Sequence, residues 1–142
     1  MEVIEIKEDI NVFYVTANPF PEDVPMAYER LKSRIGDPGD RKFFGISHPN
    51  KQGVIIYMAA TEELEPGEGQ RVGCNSFVIR KGNYISIMVR DHMKDSQSIG
   101  RSFQQLLSHS DIDPQGYCLE WYKNYTDPDV ICMVGITSNS PV

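Results

Sequence analysis

Phe77-Val78-Ile79-Arg80-Lys81-Gly82-Asn83-Tyr84-Ile85-Ser86-Ile87-Met88-Val89-Arg90 is a pair of short apolar runs split by a turn. Phe77 to Arg80 and Tyr84 to Arg90 are rich in β-branched and aromatic residues, which predicts two strands. Gly82 and Asn83 between them tolerate positive φ and suit a tight hairpin. A similar pair opens the chain: Val3 to Ile6 and Ile10 to Thr16, joined by Lys7-Glu8-Asp9. Ile10 and Tyr84, which open equivalent strands, stand 74 positions apart.

The same offset recurs downstream. A helix is predicted after Phe20-Pro21-Glu22-Asp23, with Val24, Ala27, Tyr28, Leu31 and Ile35 on one face. Gly36 and Pro38 end it. A second helix is predicted from about Asp95 or Ser96, with a stripe of Ile99, Phe103, Leu106 and Leu107. The two helix starts, near Glu22 and Gln97, are 75 apart. Strands follow each helix: Phe43 to Ser47 and Val54 to Ala60, then Tyr117 to Lys123 and Val130 to Ile136. The order is ββαββ, twice, with a period of about half the chain. That predicts an α+β fold of eight strands and two helices, built as two similar halves about a pseudo-two-fold axis.

The chain of 142 residues is the size of one domain, read here as residues 1–142 with halves of about 1–61 and 71–137. The stretch between them, 62–70, carries four glutamates, one proline and two glycines, and is expected to be a solvated connector. Charges are 14 Lys and Arg against 20 Asp and Glu, a net of −6. An acidic chain lacks the basic footprint of a nucleic-acid surface, so no direct nucleic-acid partner is expected. The longest apolar run, Val54 to Ala60, is far short of the roughly 20 residues a membrane helix needs. The N-terminus shows no basic region leading into an apolar stretch, so no signal peptide is expected. Cys74, Cys118 and Cys132 fit neither a disulfide framework nor a Cys-x-x-Cys motif, which points to free thiols and a cytoplasmic protein.

Catalytic motifs are scarce. The sequence holds no P-loop, nucleophile elbow, His-Glu-x-x-His or dinucleotide fingerprint. His48, His92 and His109 fall in predicted loops or at helix ends, none beside a second ligand at metal spacing, so neither a metal nor a cofactor is expected. Glu120 is the anomaly. It sits inside Tyr117-Cys118-Leu119-Glu120-Trp121-Tyr122, an apolar and aromatic strand, and alternation puts it on one face with Cys118 and Tyr122. A carboxylate there must be paired, hydrogen-bonded, protonated or open to a cavity, because an unpaired buried charge is costly. Two readings stand: a Glu facing a cross-strand Lys or Arg, or a carboxylate at the floor of an aromatic pocket. Such a pocket suits an organic cation, through Coulomb attraction and cation–π contacts of roughly 0.5–2 kcal/mol per ring. The candidate ligand residues are Glu120, Trp121, Tyr122, Tyr57, Tyr14 and Met88.

These segments resemble the GyrI-like small-molecule-binding family, which supplies the effector-binding domains of AraC-type and MerR-type multidrug regulators. The resemblance runs from about Ile10 to Ile136. It rests on Phe44-Gly45-Ile46-Ser47 followed by Gly53-Val54-Ile55-Ile56-Tyr57, on Phe77 to Tyr84, on a helix carrying Phe103, and on Leu119-Glu120-Trp121-Tyr122. It implies a duplicated strand–helix–strand–strand fold, a curved antiparallel sheet and a ligand cleft between the halves. It carries the family's pocket glutamate onto Glu120 and the following tyrosine onto Tyr122. The chain departs from it at Arg80-Lys81-Gly82-Asn83, where many members read Pro-Ala-Gly, and at Met58-Ala59-Ala60, where some place polar groups. The expected function is a stand-alone binding protein for an apolar or cationic small molecule, more a binder than an enzyme. The alternatives are a protein-interaction inhibitor of the gyrase-inhibitor type, and a hydrolase of cyclopropane-bearing compounds using Glu120.

Overall fold

The computed structural model describes residues 1–137, so the last five positions of the expected domain lie outside the described residues. Five elements make each half. The first contains β1 (Glu2–Ile6), β2 (Ile10–Ala17), α1 (Val24–Ile35), β3 (Phe43–Pro49) and β4 (Ile55–Glu62). A short helix, α2 (Glu68–Arg71), then leads into β5 (Asn75–Ile79), β6 (Gly82–Val89), α3 (Ser98–Leu107), β7 (Cys118–Tyr122) and β8 (Val130–Gly135). All eight strands form one antiparallel sheet in the order β1-β6-β8-β7-β3-β4-β2-β5. Exchanging the two halves reproduces that order in reverse, with the antiparallel pair β3–β7 at its centre.

The expected hairpin at Lys81-Gly82-Asn83 does not form. β5 pairs with β2 and β6 pairs with β1, so each half lends its first strand to the edge of the other. The reason is visible where the linkers meet. Ile6 lies opposite Gly82, Ile10 lies opposite Ile79, and the Lys81 amide donates to Asp9 Oδ1 at 2.8 Å. The two linkers pack against each other instead of each closing its own turn. Gly82 keeps the positive φ, 142°, that its place invited, but as the first residue of β6.

The two long helices lie on one face of the sheet, α1 over β2 and β4, α3 over β6 and β8. Pro25 sits in the first turn of α1, where its missing N–H costs nothing, and Ala27 and Leu31 face the sheet. Gly36, at φ 76°, ends the helix. In α3, Phe103 and Leu106 are buried, whereas Leu107, read as part of the stripe, is 48 % exposed. Asp95 pairs with Arg101 rather than capping the helix directly. The opposite face of the sheet carries a second core around Val12, Phe44, Ile46, Ile79, Leu119 and Met133. There the sheet curls: Tyr117 meets both Phe77 of the edge strand β5 and Tyr84 of β6, at ring separations of 5.2 and 6.5 Å.

The connector is not a loose solvated run. Gly69 of α2 packs so tightly on Phe13 that a Cβ there would lie 2.6 Å from the phenylalanine Cβ. Glu68 is gripped by Arg41 through two parallel hydrogen bonds of 3.0 and 2.9 Å. No helix among the described residues is long and apolar enough to cross a membrane. The three cysteines are free.

Candidate functional site

Glu120 lies at the centre of the sheet, on the helix-bearing face, opposite Gly45 of β3 and Cys132 of β8. It is 7 % exposed. Its Oε1 accepts the Tyr122 hydroxyl at 2.6 Å and the Tyr57 hydroxyl at 3.0 Å. Tyr57 reaches it from β4 by crossing β3 above Gly45, and only glycine permits that crossing. A Cβ at position 45 would lie 2.1 Å from the Tyr57 hydroxyl oxygen and 2.9 Å from the Glu120 carboxyl carbon.

Helix α1 closes the network from above. The Tyr28 hydroxyl donates to the Phe44 carbonyl at 2.8 Å and lies 2.8 Å from the Tyr57 hydroxyl. Its ring meets Tyr57 and Tyr122 edge-on, at 6.3 and 6.2 Å. Phe20 stacks on Tyr57 at 5.5 Å, and the His92 ring stands edge-on to Tyr122, also at 5.5 Å. Such offset and edge contacts are the favoured geometries of aromatic pairs.

The electrostatics follow from this packing. No Lys or Arg forms an ion pair with Glu120 among the described residues. Burial pushes its carboxyl above the ordinary value, and the two phenol hydrogen bonds hold back part of that rise. Burial and the nearby carboxylate push the phenols of Tyr28, Tyr57 and Tyr122 up, so they remain neutral donors at physiological pH. The second oxygen, Oε2, has no hydrogen-bond partner, and no buried side-chain oxygen among the described residues is left unpaired.

Next to this network is a cleft of about 350 Å³, walled by Tyr28, Tyr122, Phe43 and Tyr125 and bounded by the turn holding His92 and Met93. Its charged lining includes two acids, Glu29 and Asp127, and neither Lys nor Arg. Tyr28 and Tyr122 belong to both the cleft wall and the Glu120 network, so the carboxylate stands directly behind them.

The structure brings together three of the six sequence candidates: Glu120, Tyr122 and Tyr57. Trp121 points to the opposite face, where its ring packs on Phe44 at 5.2 Å. Tyr14 packs against that same opposite core. Met88 is 50 % exposed on β6, away from Glu120. Sequence reasoning passed over Tyr28, counted as part of a helix face, together with Phe20 and Gly45. His92, expected in an exposed loop, is partly covered by Tyr122, and His48 lies within β3. Alternation along the strand already sets Trp121 on the face opposite Glu120, as the structure has it. No pattern in the sequence ties Phe20 or Tyr28 to it.

No protein-family model and no curated protein matches the chain. Solved structures do. An integron cassette protein from the mobile metagenome of Vibrio cholerae aligns at a TM-score of 0.64 and 12 % identity, covering 95 % of this chain and 94 % of its own. The protein SAV2435, solved bound to tetraphenylphosphonium, aligns at 0.59 and 10 %, covering 95 % and 91 %. A Staphylococcus aureus protein named for bacterial transcription regulation aligns at 0.60 and 9 %, covering 94 % and 97 %. At these identities the likeness is one of fold, end to end.

Proposed function

We propose that this chain binds lipophilic organic cations in the cleft beside Glu120. The observation that carries the reading is a buried carboxylate without a cationic partner, held by two tyrosine hydroxyls behind an aromatic wall. A cation in the cleft would meet the Tyr28 and Tyr122 rings first and the carboxylate behind them second. Each ring would add roughly 0.5–2 kcal/mol, and the carboxylate's attraction would be strengthened by its dry surroundings. Neither force demands fixed donor–acceptor geometry, which suits ligands of varied shape. Glu29 and Asp127 at the rim, on a chain of net charge −6, favour cations over anions on approach.

Two supports lie outside the site. One neighbour of the same fold has been solved with tetraphenylphosphonium, a lipophilic cation. The GyrI-like resemblance independently carries a ligand glutamate onto Glu120. Under this reading the ligand wall is Tyr28, Tyr122, Phe43 and Tyr125, with Tyr57 behind it, and the role is sensing or sequestration. Thermal shift with tetraphenylphosphonium, against a neutral aromatic of similar size, tests it. Tetraphenylphosphonium should raise the melting temperature of the wild type and not that of Glu120→Gln. Equal shifts in both proteins, or no shift across a panel of lipophilic cations, would sink the proposal.

A further inference from the structure

The two-fold relation at the Gly45–Glu120 pair exchanges Phe43 with Cys118 and Ser47 with Tyr122. One end of the central strand pair is thus filled by two rings, Phe43 opposite Tyr122. The other end holds Ser47 opposite Cys118, which are too small to fill the same space. Around that end a cavity of about 460 Å³ opens between the C-terminal end of α3 and the turn end of the β3–β4 hairpin. Its walls are Pro49, Ile55, Leu107, Ile112, Pro114 and Val134. It shares no lining residue with the cleft beside Glu120.

Cys118 and Ser47 stand opposite each other in the strand pair. Two of the cavity's polar side chains are engaged locally. Asp113 Oδ1 accepts the Gln115 amide at 2.9 Å, and His48 Nδ1 lies 3.3 Å from the Pro49 carbonyl. No buried side-chain polar atom is left unpaired there. Its lining holds neither Lys nor Arg, and its one carboxylate, Asp113, is turned to the Gln115 amide. Ile55 and Leu107, at 41 % and 48 % exposure, leave large apolar side chains facing the opening. A site of this size lies within the 300–1,000 Å³ range of small-molecule pockets.

We infer that this cavity is a second ligand site, for a neutral lipophilic small molecule, formed where the Ser47–Cys118 end lacks the rings that fill the Phe43–Tyr122 end. It is independent of the cation reading. The test uses the full chain and N-phenyl-1-naphthylamine, a neutral dye that brightens in apolar surroundings. The dye should bind the wild type. Cys118→Phe, which puts a ring where the two-fold relation places Phe43, should weaken it at least tenfold. Leu107→Glu should do the same, and at an exposed position it carries the test if Cys118→Phe fails to fold by circular dichroism. Glu120→Gln should leave dye affinity within twofold, and tetraphenylphosphonium should not displace the dye. Failure of the dye to bind, wild-type affinity in Leu107→Glu, loss in Glu120→Gln, or competitive displacement by tetraphenylphosphonium would each overturn the second site. Loss of tetraphenylphosphonium binding alone would count against the cation cleft and leave this site standing.

Discussion

Glu68 and Glu120 are carboxylates taken largely out of water, one at the join between the halves and one at the middle of the sheet. Glu68 faces the fork of Arg41, and both side chains are nearly covered, at 12 % and 11 % exposure. It also accepts the Leu64 amide at 2.9 Å. Arg41 beside it holds its carboxyl below the ordinary range. Glu120 has two phenols and no cation, and burial pushes its carboxyl the other way. The first carboxylate is complete as the chain folds. The second is satisfied in hydrogen bonds at one oxygen and unmatched in charge. A cation arriving from solution would do for Glu120 what Arg41 does for Glu68.

That contrast can be broken at either end. Arg41→Ala should have the largest effect, a loss of about 2–3 kcal/mol in chemical denaturation, because it strands Glu68 in a mostly covered site. A loss as small as that of an exposed pair, under about 1 kcal/mol, would mean Glu68 is no different from a surface acid. Gly45→Ala should cost about 1–3 kcal/mol by driving a methyl into the Tyr57–Glu120 contact. A neutral result would show that the crossing over Gly45 is loose.

Smaller effects separate the two acids by pH. The Glu68 carboxyl is depressed in the fold, so its stabilisation is present above the unfolded value near 4.5 and lost as pH falls through its lower folded value. The Glu120 carboxyl is raised, so the folded state holds its proton more tightly. That stabilisation is present below 4.5 and lost as pH rises through its higher folded value. Glu120→Gln should therefore melt above the wild type at neutral pH, with the gap closing on acidification toward 4.5. Glu68→Gln should melt below it at neutral pH, with that gap closing only at more acid values. Parallel profiles for the two variants would remove the distinction. Tyr122→Phe, the mildest change, should lose about 1 kcal/mol and push the Glu120 carboxyl higher still.

Much of this was legible before any coordinates. Apolar runs and turn residues place all eight strands to within two residues at each end, because period-2 burial leaves a direct trace in the sequence. The repeat between Ile10 and Tyr84 survives as topology. Glu120 stood out because an acid in an aromatic strand contradicts its neighbours. Long-range choices were not legible. Lys81-Gly82-Asn83 is as good a hairpin as any, and only contact with Asp9 and Ile10 shows why it links strands that never pair. Four glutamates in the connector read as solvated, yet Glu68 is claimed by an arginine 27 positions earlier. Trp121 adjoins Glu120 in sequence and faces away from it, while Tyr28 is 92 positions distant and closes its site.

The central claim is that Glu120 is the unmatched charge a ligand completes. Calorimetry of tetraphenylphosphonium binding near pH 5, in buffers of different ionisation enthalpy, tests it most directly. A cation beside a raised carboxyl favours its ionised form, so binding to the wild type should release protons. Glu120→Gln should bind more weakly, by roughly 10–100-fold, and release none. Equal affinity and equal proton release in both proteins would contradict the account.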